Sequence, residues 1–482
     1  MNQVKKNYIY NVAYQLLVIL LPIITVPYVS RVLGVEGVGI YSYTYSIAYY
    51  FILFSMLGIN NYGSRYIAKV RDNKEETSRV FLSIYYMQLI ITILCIIIYY
   101  SYVFLFNVEY KQIAILQGIS IVTSLFDINW FYFGLEKFKI TVFRNLIIKI
   151  LSLICIFIFV KTAEDLHIYT LILSLSSVVS CFPLWIMIKK YIKFTKISLK
   201  NVIEHIKPCL VLFIPVISYS IYKVMDKTML GSLIGANEVG YYENATKIIN
   251  IPLGFITALG TVMLPRMSNI VANGDKNQFD ILIKKSINFV MFISIPICLG
   301  ICAISDDFSI LFFGSEFEKT GILCSYLSLT IIFIAMANVV RTQFLIPKER
   351  DREYIISTIC GAIINLILNL YLIPKYESIG ACISTVIAEA TVMIYQVFSV
   401  RKDITIMKYI KEGSRFIVNS IIMFILIIGF DFIKMNSIIR ILVQVSIGVL
   451  IYLLLNIKYI NNDIFNIKSY INKFRIKKAT KM

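Results

Sequence analysis

Apolar residues run in blocks of about twenty along the whole chain, and short clusters between the blocks carry most of the charge. A helix crossing the roughly 30 Å hydrocarbon core of a bilayer needs about 20 mostly apolar residues. Fourteen blocks meet that need, at approximately 8–30, 38–62, 81–106, 112–134, 145–160, 167–188, 208–234, 239–264, 286–305, 320–344, 354–373, 378–399, 416–433 and 438–456. The pattern predicts an all-α polytopic membrane protein of about 14 transmembrane helices. The basic start before the first block imitates a signal peptide, but its length, its two prolines and the many following spans favour a first crossing.

Composition agrees: 58% of the 482 residues are hydrophobic and 16% are charged, with a mean hydropathy of +0.77. The formal net charge of +19 does not indicate a nucleic-acid partner, because the basic residues are scattered between apolar blocks instead of forming one soluble basic face. Most of the nine cysteines sit inside apolar blocks, and only two histidines, His167 and His205, are present. Small buried thiols are the simpler reading, and neither a metal site nor a cofactor is expected.

The charges also set the orientation. With both termini inside, the inner segments hold 35 Lys and Arg residues and the outer loops six, an asymmetry that places both ends in the cytoplasm. No outer loop is long enough for a folded domain, so the activity is expected within the membrane.

An internal repeat runs through the first outer turn. GVEGVGIYSYTYSI at 34–47 and GANEVGYYENATKI at 235–248 share five of fourteen positions: Gly34 with Gly235, Val38 with Val239, Gly39 with Gly240, Tyr41 with Tyr242 and Ile47 with Ile248. The offset of 201 residues spans six crossings, so the repeats are parallel. The expected organisation is an N-terminal lobe at 1–188 (spans 1–6), a basic cytoplasmic linker at 189–207, a C-terminal lobe at 208–399 (spans 7–12), two extra helices at 400–456 and a basic cytoplasmic tail at 457–482.

Six basic residues fall inside spans: Lys149, Lys223, Lys227, Lys247, Arg341 and Arg440. Such a group costs about 2.5–3.5 kcal/mol on insertion scales and needs a partner or a watery cavity. Lys149 and Arg440 stand close enough to predicted span ends to snorkel. In span 7, Lys223, Asp226 and Lys227 share one helical face; a Lys223–Asp226 pair would leave Lys227 over. Lys247, beside Asn244, and Arg341 complete a candidate cationic cavity between the lobes, suited to a phosphate-bearing substrate.

The segment PYVSRVLGVEGVGIYSYTYSIAYYFILFSMLGINNYGSRYIA at 27–68 resembles the N-terminal signature of Wzx-type polysaccharide flippases, which move O-antigen or capsule repeat units. FDINWFYFGLEKFK at 126–139, DKTMLGSLIGANEVGYYENATKI at 226–248 and IPKYESIGACISTVIAE at 373–389 extend the similarity in order along the chain. The resemblance implies the multidrug/oligosaccharidyl-lipid/polysaccharide exporter fold of two six-helix lobes plus two helices. It also implies translocation of an oligosaccharide on an undecaprenyl pyrophosphate carrier from the inner to the outer leaflet of a bacterial plasma membrane. Arg31 matches the arginine after span 1 in that signature and Arg65 the basic residue after span 2.

The mechanism expected on this basis is alternating access, with Pro22, Pro27, Pro215 and Pro252 supplying bends. The protein would be a transporter and no enzyme, its partners being the lipid-linked oligosaccharide, the bilayer and a polysaccharide polymerase. Two alternatives are weighed. A cation-coupled multidrug exporter of the same superfold would favour cavity acids, but Asp127, Asp226, Glu243 and Glu389 are scattered and outnumbered. A membrane polysaccharide polymerase would call for a long outer loop with arginines and histidine, and none is present.

Overall fold

The computed structural model describes residues 3–460 apart from 107 and 194; side chains are described from residue 21 onward, except at 107, 138, 194, 215, 218, 219 and 221–223. Most of the basic tail expected at 457–482, from 461 on, lies outside the described residues. Two compact units divide the chain, Met1–Glu243 and Asn244–Met482.

Hydrocarbon offers no hydrogen-bond partner to a peptide group, so a crossing segment satisfies its own backbone by becoming helical. The first unit holds α1 (Gln3–Met56), α2 (Ile59–Val70), α3 (Lys74–Leu105), α4 (Lys111–Phe126), α5 (Asn129–Gly134), α6 (Phe138–Phe159), α7 (Leu166–Val179), α8 (Phe182–Ile188), α9 (Leu199–Ile203) and α10 (Ile206–Leu233). It also takes the first turns of α11 (Ala236–Ala272). As a straight rod the 54 residues of α1 would run about 80 Å, far beyond the bilayer core. They are broken at Gly34, whose φ of 68° and ψ of −178° belong to a region that only glycine occupies without strain.

Two sequence-predicted spans end differently from expectation. Span 2 stops at Met56, because Leu57 and Gly58 take positive φ, and α2 follows as a separate amphipathic helix bearing Arg65. The fourth span breaks at Asp127, whose Oδ1 accepts from the Asn129 backbone N–H (2.9 Å) and Nδ2 (2.6 Å). Such a break strands carbonyls in a medium without water, and Gln88 of α3 rescues them. Its Nε2 donates to the carbonyls of Ser124 (2.6 Å) and Asp127 (2.8 Å), while its Oε1 accepts from Trp130 Nε1 at 3.0 Å. Trp130 and Phe131 are buried against Phe81. The motif at 126–139 is thus a stapled helix break.

The second unit takes the rest of α11 with α12 (Lys276–Phe313), α13 (Glu318–Val340), α14 (Asp351–Ser399), α15 (Ile406–Glu412), α16 (Ser414–Ile428) and α17 (Ser437–Leu455). The 49 residues of α14 fold back at Glu377 (φ 53°), so that Gln396 Nε2 reaches Ser357 Oγ at 2.9 Å. A Cβ on Gly380 would lie 2.3 Å from the Leu372 carbonyl oxygen, so the turn closes only around a residue without a side chain.

Among the described residues, eleven helical segments are long and apolar enough to cross a membrane. Two of them contain the breaks at Gly34 and Glu377 and are double crossings, and α10, at 28 residues, adds one more. The expected fourteen helices are therefore present. All nine cysteines are free thiols.

Replacing Gly34 by alanine should cost about 1–3 kcal/mol, read as a lower melting temperature in detergent; an unchanged melt would mean that the turn does not depend on this conformation. His205, at the start of α10, is buried and shares a 2.7 Å hydrogen bond with the Tyr62 hydroxyl. Burial lowers its pKa, against a smaller opposing pull from Glu204. A depressed folded pKa means that the unfolded chain binds the proton first, so this stabilisation is present above the ordinary histidine value of about 6.5 and is lost as pH falls below it. Melting temperature should drop between pH 7 and pH 5, and His205→Gln should flatten that slope; an equal slope in the variant would assign it to other groups.

Candidate functional site

Within the first unit, the part of α1 after Gly34 meets the first turns of α11 backbone to backbone. A Cβ on Gly39 would lie 1.8 Å from the Ala236 carbonyl oxygen, and a Cβ on Gly240 would lie 2.3 Å from the Val35 carbonyl oxygen. Val35 and Ala236, like Gly39 and Gly240, are partners under the 201-residue offset, so each strand of the crossing meets the other in the same way. One turn further on, Ser42 Oγ donates to Glu243 Oε2 at 2.9 Å, and these residues are also 201 apart. The crossing is tight because glycine on both sides lets the helices touch along their backbones. Beside it, Gly231 of α10 leaves room for the Tyr43 ring, which would stand 2.0 Å from a Cβ there.

This crossing fixes the charges of span 7. Lys227 forms its ion pair with Glu243, the carboxylate that Ser42 also holds. Asp226 is 2% exposed and accepts from the Tyr242 hydroxyl at 2.5 Å. Lys227, which a Lys223–Asp226 pair would leave over, thus has its own carboxylate on α11. The Lys223 side chain lies outside the described residues. Thr228 shares a 2.9 Å hydrogen bond with Ser46, so α10 is tied by polar contacts to α1 as well as to α11.

The second unit carries the other two intramembrane candidates. Lys247 Nζ stands 3.4 Å from Asn244 Oδ1, a long contact for a charged donor. Arg341 Nη2 donates to Asn338 Oδ1 at 3.0 Å, and its guanidinium lies 5.5 Å from the Tyr354 ring centroid. Arg341 opens a π-helical turn, Arg341–Leu345, of the kind often found at functional sites. There α11 approaches closely: a Cβ on Gly260 would lie 2.8 Å from Asn338 Nδ2.

Arg31 and Arg65 are both exposed. They flank one crossing: Arg31 lies one turn before Gly34, and Arg65 lies beyond Met56, where that crossing ends. At 1.5 Å per residue the crossing alone separates them by roughly 30 Å, so they do not belong to one pocket. Arg440 is paired with Asp307 at 2.8 Å. Glu243, read from sequence only as a scattered acid, is a central member of the node. The signal that finds it is the repeat, which maps Ser42 onto position 243.

Among the described residues the chain is helical with fourteen crossings, and Lys227 and Arg440 are paired with carboxylates, the architecture of a polytopic membrane protein. Solved structures share it: the lipid II flippase MurJ in an inward closed conformation superposes with a TM-score of 0.79 at 19% identity, over 95% of this chain and 99% of that one. A multidrug resistance MATE family transporter of the MOP superfamily, inward-facing, gives 0.57 at 14% identity, over 80% and 98%. The chain belongs to the polysaccharide biosynthesis protein family, which matches residues 4–271, and residues 212–371 also match the MatE family. It is 26% identical over 408 residues to a protein of Escherichia coli K12 named as an O-antigen transporter, covering 83% of this chain and 97% of that protein. It is 24% identical to the capsular polysaccharide biosynthesis protein CapF of Staphylococcus aureus, covering 73% and 88%. The Wzx-type resemblance of the four sequence blocks stands with these matches.

Glu243→Gln would leave the mostly buried Lys227 without its countercharge, at a cost on the order of 3 kcal/mol. Replacing both partners by apolar residues of similar size should recover most of that loss. Melting temperatures of the single and double variants measure the coupling, and additive effects would show that the pair contributes nothing.

Proposed function

We propose that this protein is a flippase that moves undecaprenyl-pyrophosphate-linked oligosaccharide repeat units from the inner to the outer leaflet of a bacterial plasma membrane, for surface polysaccharide synthesis. The observation that carries this reading is the correspondence over 97% of an O-antigen transporter, in a chain that keeps lysine and arginine inside its spans. The transport cycle is alternating access. Its moving parts are the six-span lobes 1–188 and 208–399, joined by the basic linker 189–207, with 400–456 as additional helices. Both termini are cytoplasmic, as the distribution of Lys and Arg requires.

Lys223, Lys227, Lys247 and Arg341 take up the diphosphate, Asp226 and Asn244 position the lysines, and Arg31 and Arg65 act at the two ends of the second crossing. The pairing of Lys227 with Glu243 adds a condition: the lysine meets a substrate phosphate only by exchanging one anion for another. Such an exchange avoids burying an unpaired charge at any stage. A polysaccharide polymerase is the partner that would use the product.

The test is complementation of a flippase-null strain that makes a defined glycan. The combined variant Lys223→Gln, Lys227→Gln, Lys247→Gln and Glu243→Gln, in which the pair is neutralised on both sides, should insert at normal levels and fail to restore surface glycan. Lipid-linked intermediates should accumulate on the inner leaflet. Normal export from this variant would defeat the assignment of the cations to the substrate.

A further inference from the structure

The stretch YSYTYSIAYY at 41–50 places Tyr41, Tyr45 and Tyr49 four residues apart, so they form one stripe along α1. At 1.5 Å per residue the stripe is roughly 12 Å long. Its rings follow one another. Tyr41 and Tyr45 lie parallel, with 5° between their planes and centroids 6.0 Å apart, and Tyr49 stands 6.1 Å beyond Tyr45. Tyr169 of α7 meets Tyr41 edge-on at 5.0 Å, and Gln117 of α4 reaches the Tyr41 backbone carbonyl at 3.4 Å. Four rings from two crossings thus make one aromatic surface.

The surface is turned away from lipid. Phe54 is the one exposed residue between Tyr41 and Met56. It lies nine residues after Tyr45, about two and a half turns, and so on the opposite side of the helix. Ser42 and Ser46 face α11 and α10 through Glu243 and Thr228, and Ala48 packs into a buried cluster with residues of α3 and α4. The tyrosine stripe runs between these two packed faces. Ser42, Ser46 and Ala48 are buried, yet Tyr41, Tyr45, Tyr49 and Tyr169 all keep accessible surface. Rings that point inward and are still accessible line open space. The repeat draws the same distinction. The residues that build the α1–α11 crossing are shared under the 201-residue offset, whereas Tyr45 and Tyr49 map onto Thr246 and Asn250. Folding of the repeated turn therefore does not require the stripe.

We propose that Tyr41, Tyr45, Tyr49 and Tyr169 form a stacking track for the sugar rings of the transported glycan, the C–H faces of pyranoses lying on the tyrosine rings. The face of an aromatic ring is negative, and the C–H hydrogens of a sugar, polarised by the neighbouring oxygens, are positive. A pyranose is apolar on its face and hydroxylated at its rim, and tyrosine matches both with an apolar body and a polar tip. The inference rests on the flippase reading and names the part of the first unit that holds the glycan. The track recognises a ring face and not a charge, so it accepts neutral sugar units.

Two arms test it and separate its failure from that of the flippase reading. In flippase-null cells that make a neutral, galactose-containing glycan, Tyr45→Leu combined with Tyr49→Leu should lower export about tenfold or more, and the corresponding phenylalanine pair, which keeps both rings, should stay within about twofold of wild type. Full export from the leucine pair overturns the track. Equal loss in the phenylalanine pair also overturns it, because the contact then belongs to the hydroxyls. In the second arm the purified full chain in nanodiscs is melted with bare undecaprenyl pyrophosphate or with the same carrier bearing a galactose disaccharide. The glycosylated carrier should raise the melting temperature of the wild type beyond the bare one. The leucine pair should lose that excess while keeping the shift from the bare carrier; should the pair fail to insert, Tyr49→Leu alone carries the same comparison. Loss of both shifts in the leucine variant marks the tyrosines as packing residues and overturns the proposal. A wild type that exports glycan but shows no excess overturns the track and leaves the flippase reading. No export and no shift from either carrier overturns the flippase reading, and the track with it.

Discussion

A lipid interior supplies no hydrogen bonds, and the features that interrupt this protein's helices are answers to that constraint. Where α4 breaks at Asp127, a glutamine from the neighbouring crossing takes over the exposed carbonyls and is itself held by a tryptophan indole. Where α1 and α14 reverse, the breaks stand at Gly34 and Glu377, near the ends of crossings. Many serines and threonines along the spans donate into their own helices, as Ser55 does to Phe51 and Ser384 to Gly380. Two charged groups of α10 follow the same rule: Lys227 is held by the Glu243 carboxylate and Asp226 by the Tyr242 hydroxyl.

The glycine crossing of α1 and α11 turns that local rule into architecture. Backbone contact at Gly39 and Gly240 brings Ser42 and Glu243 within hydrogen-bonding distance, and Glu243 in turn supplies the countercharge for Lys227. Insertion of a methyl group at either glycine would push the carboxylate away from the lysine, so the packing of two turns and the state of a buried charge are not independent. Tyr242, beside Glu243 on α11, holds Asp226 of α10. Three polar contacts thus depend on two residues whose contribution is the absence of a side chain.

Much of this was legible in the sequence. The number of crossings follows from block length, and the two matched turns follow from five shared positions. The parts that were not legible have identifiable causes. Span 5 was bounded by hydropathy at residue 145, because Arg144, Lys139 and Lys137 look like loop. In the structure Arg144 is buried with its charge spread over Asn129 and Asn145, and α6 begins at Phe138. That shift of one and a half to two turns moves Lys149 from near a membrane surface to the midplane. Glu243 was missed as the partner of Lys227 because helix periodicity ranks neighbours on the same helix, whereas the carboxylate comes from the next one.

Lys227 and Lys149 illustrate two ways for a lysine to persist in hydrocarbon. At Lys227 the protein supplies a carboxylate, which fixes the side chain and makes it a part of the scaffold that can be exchanged only for another anion. At Lys149 the side chain faces a cavity that Thr25, Asn145, Ser152, Ser176 and Ser180 also line. Mechanical coupling between helices therefore belongs to the paired lysine, whose carboxylate is also held by Ser42 of α1.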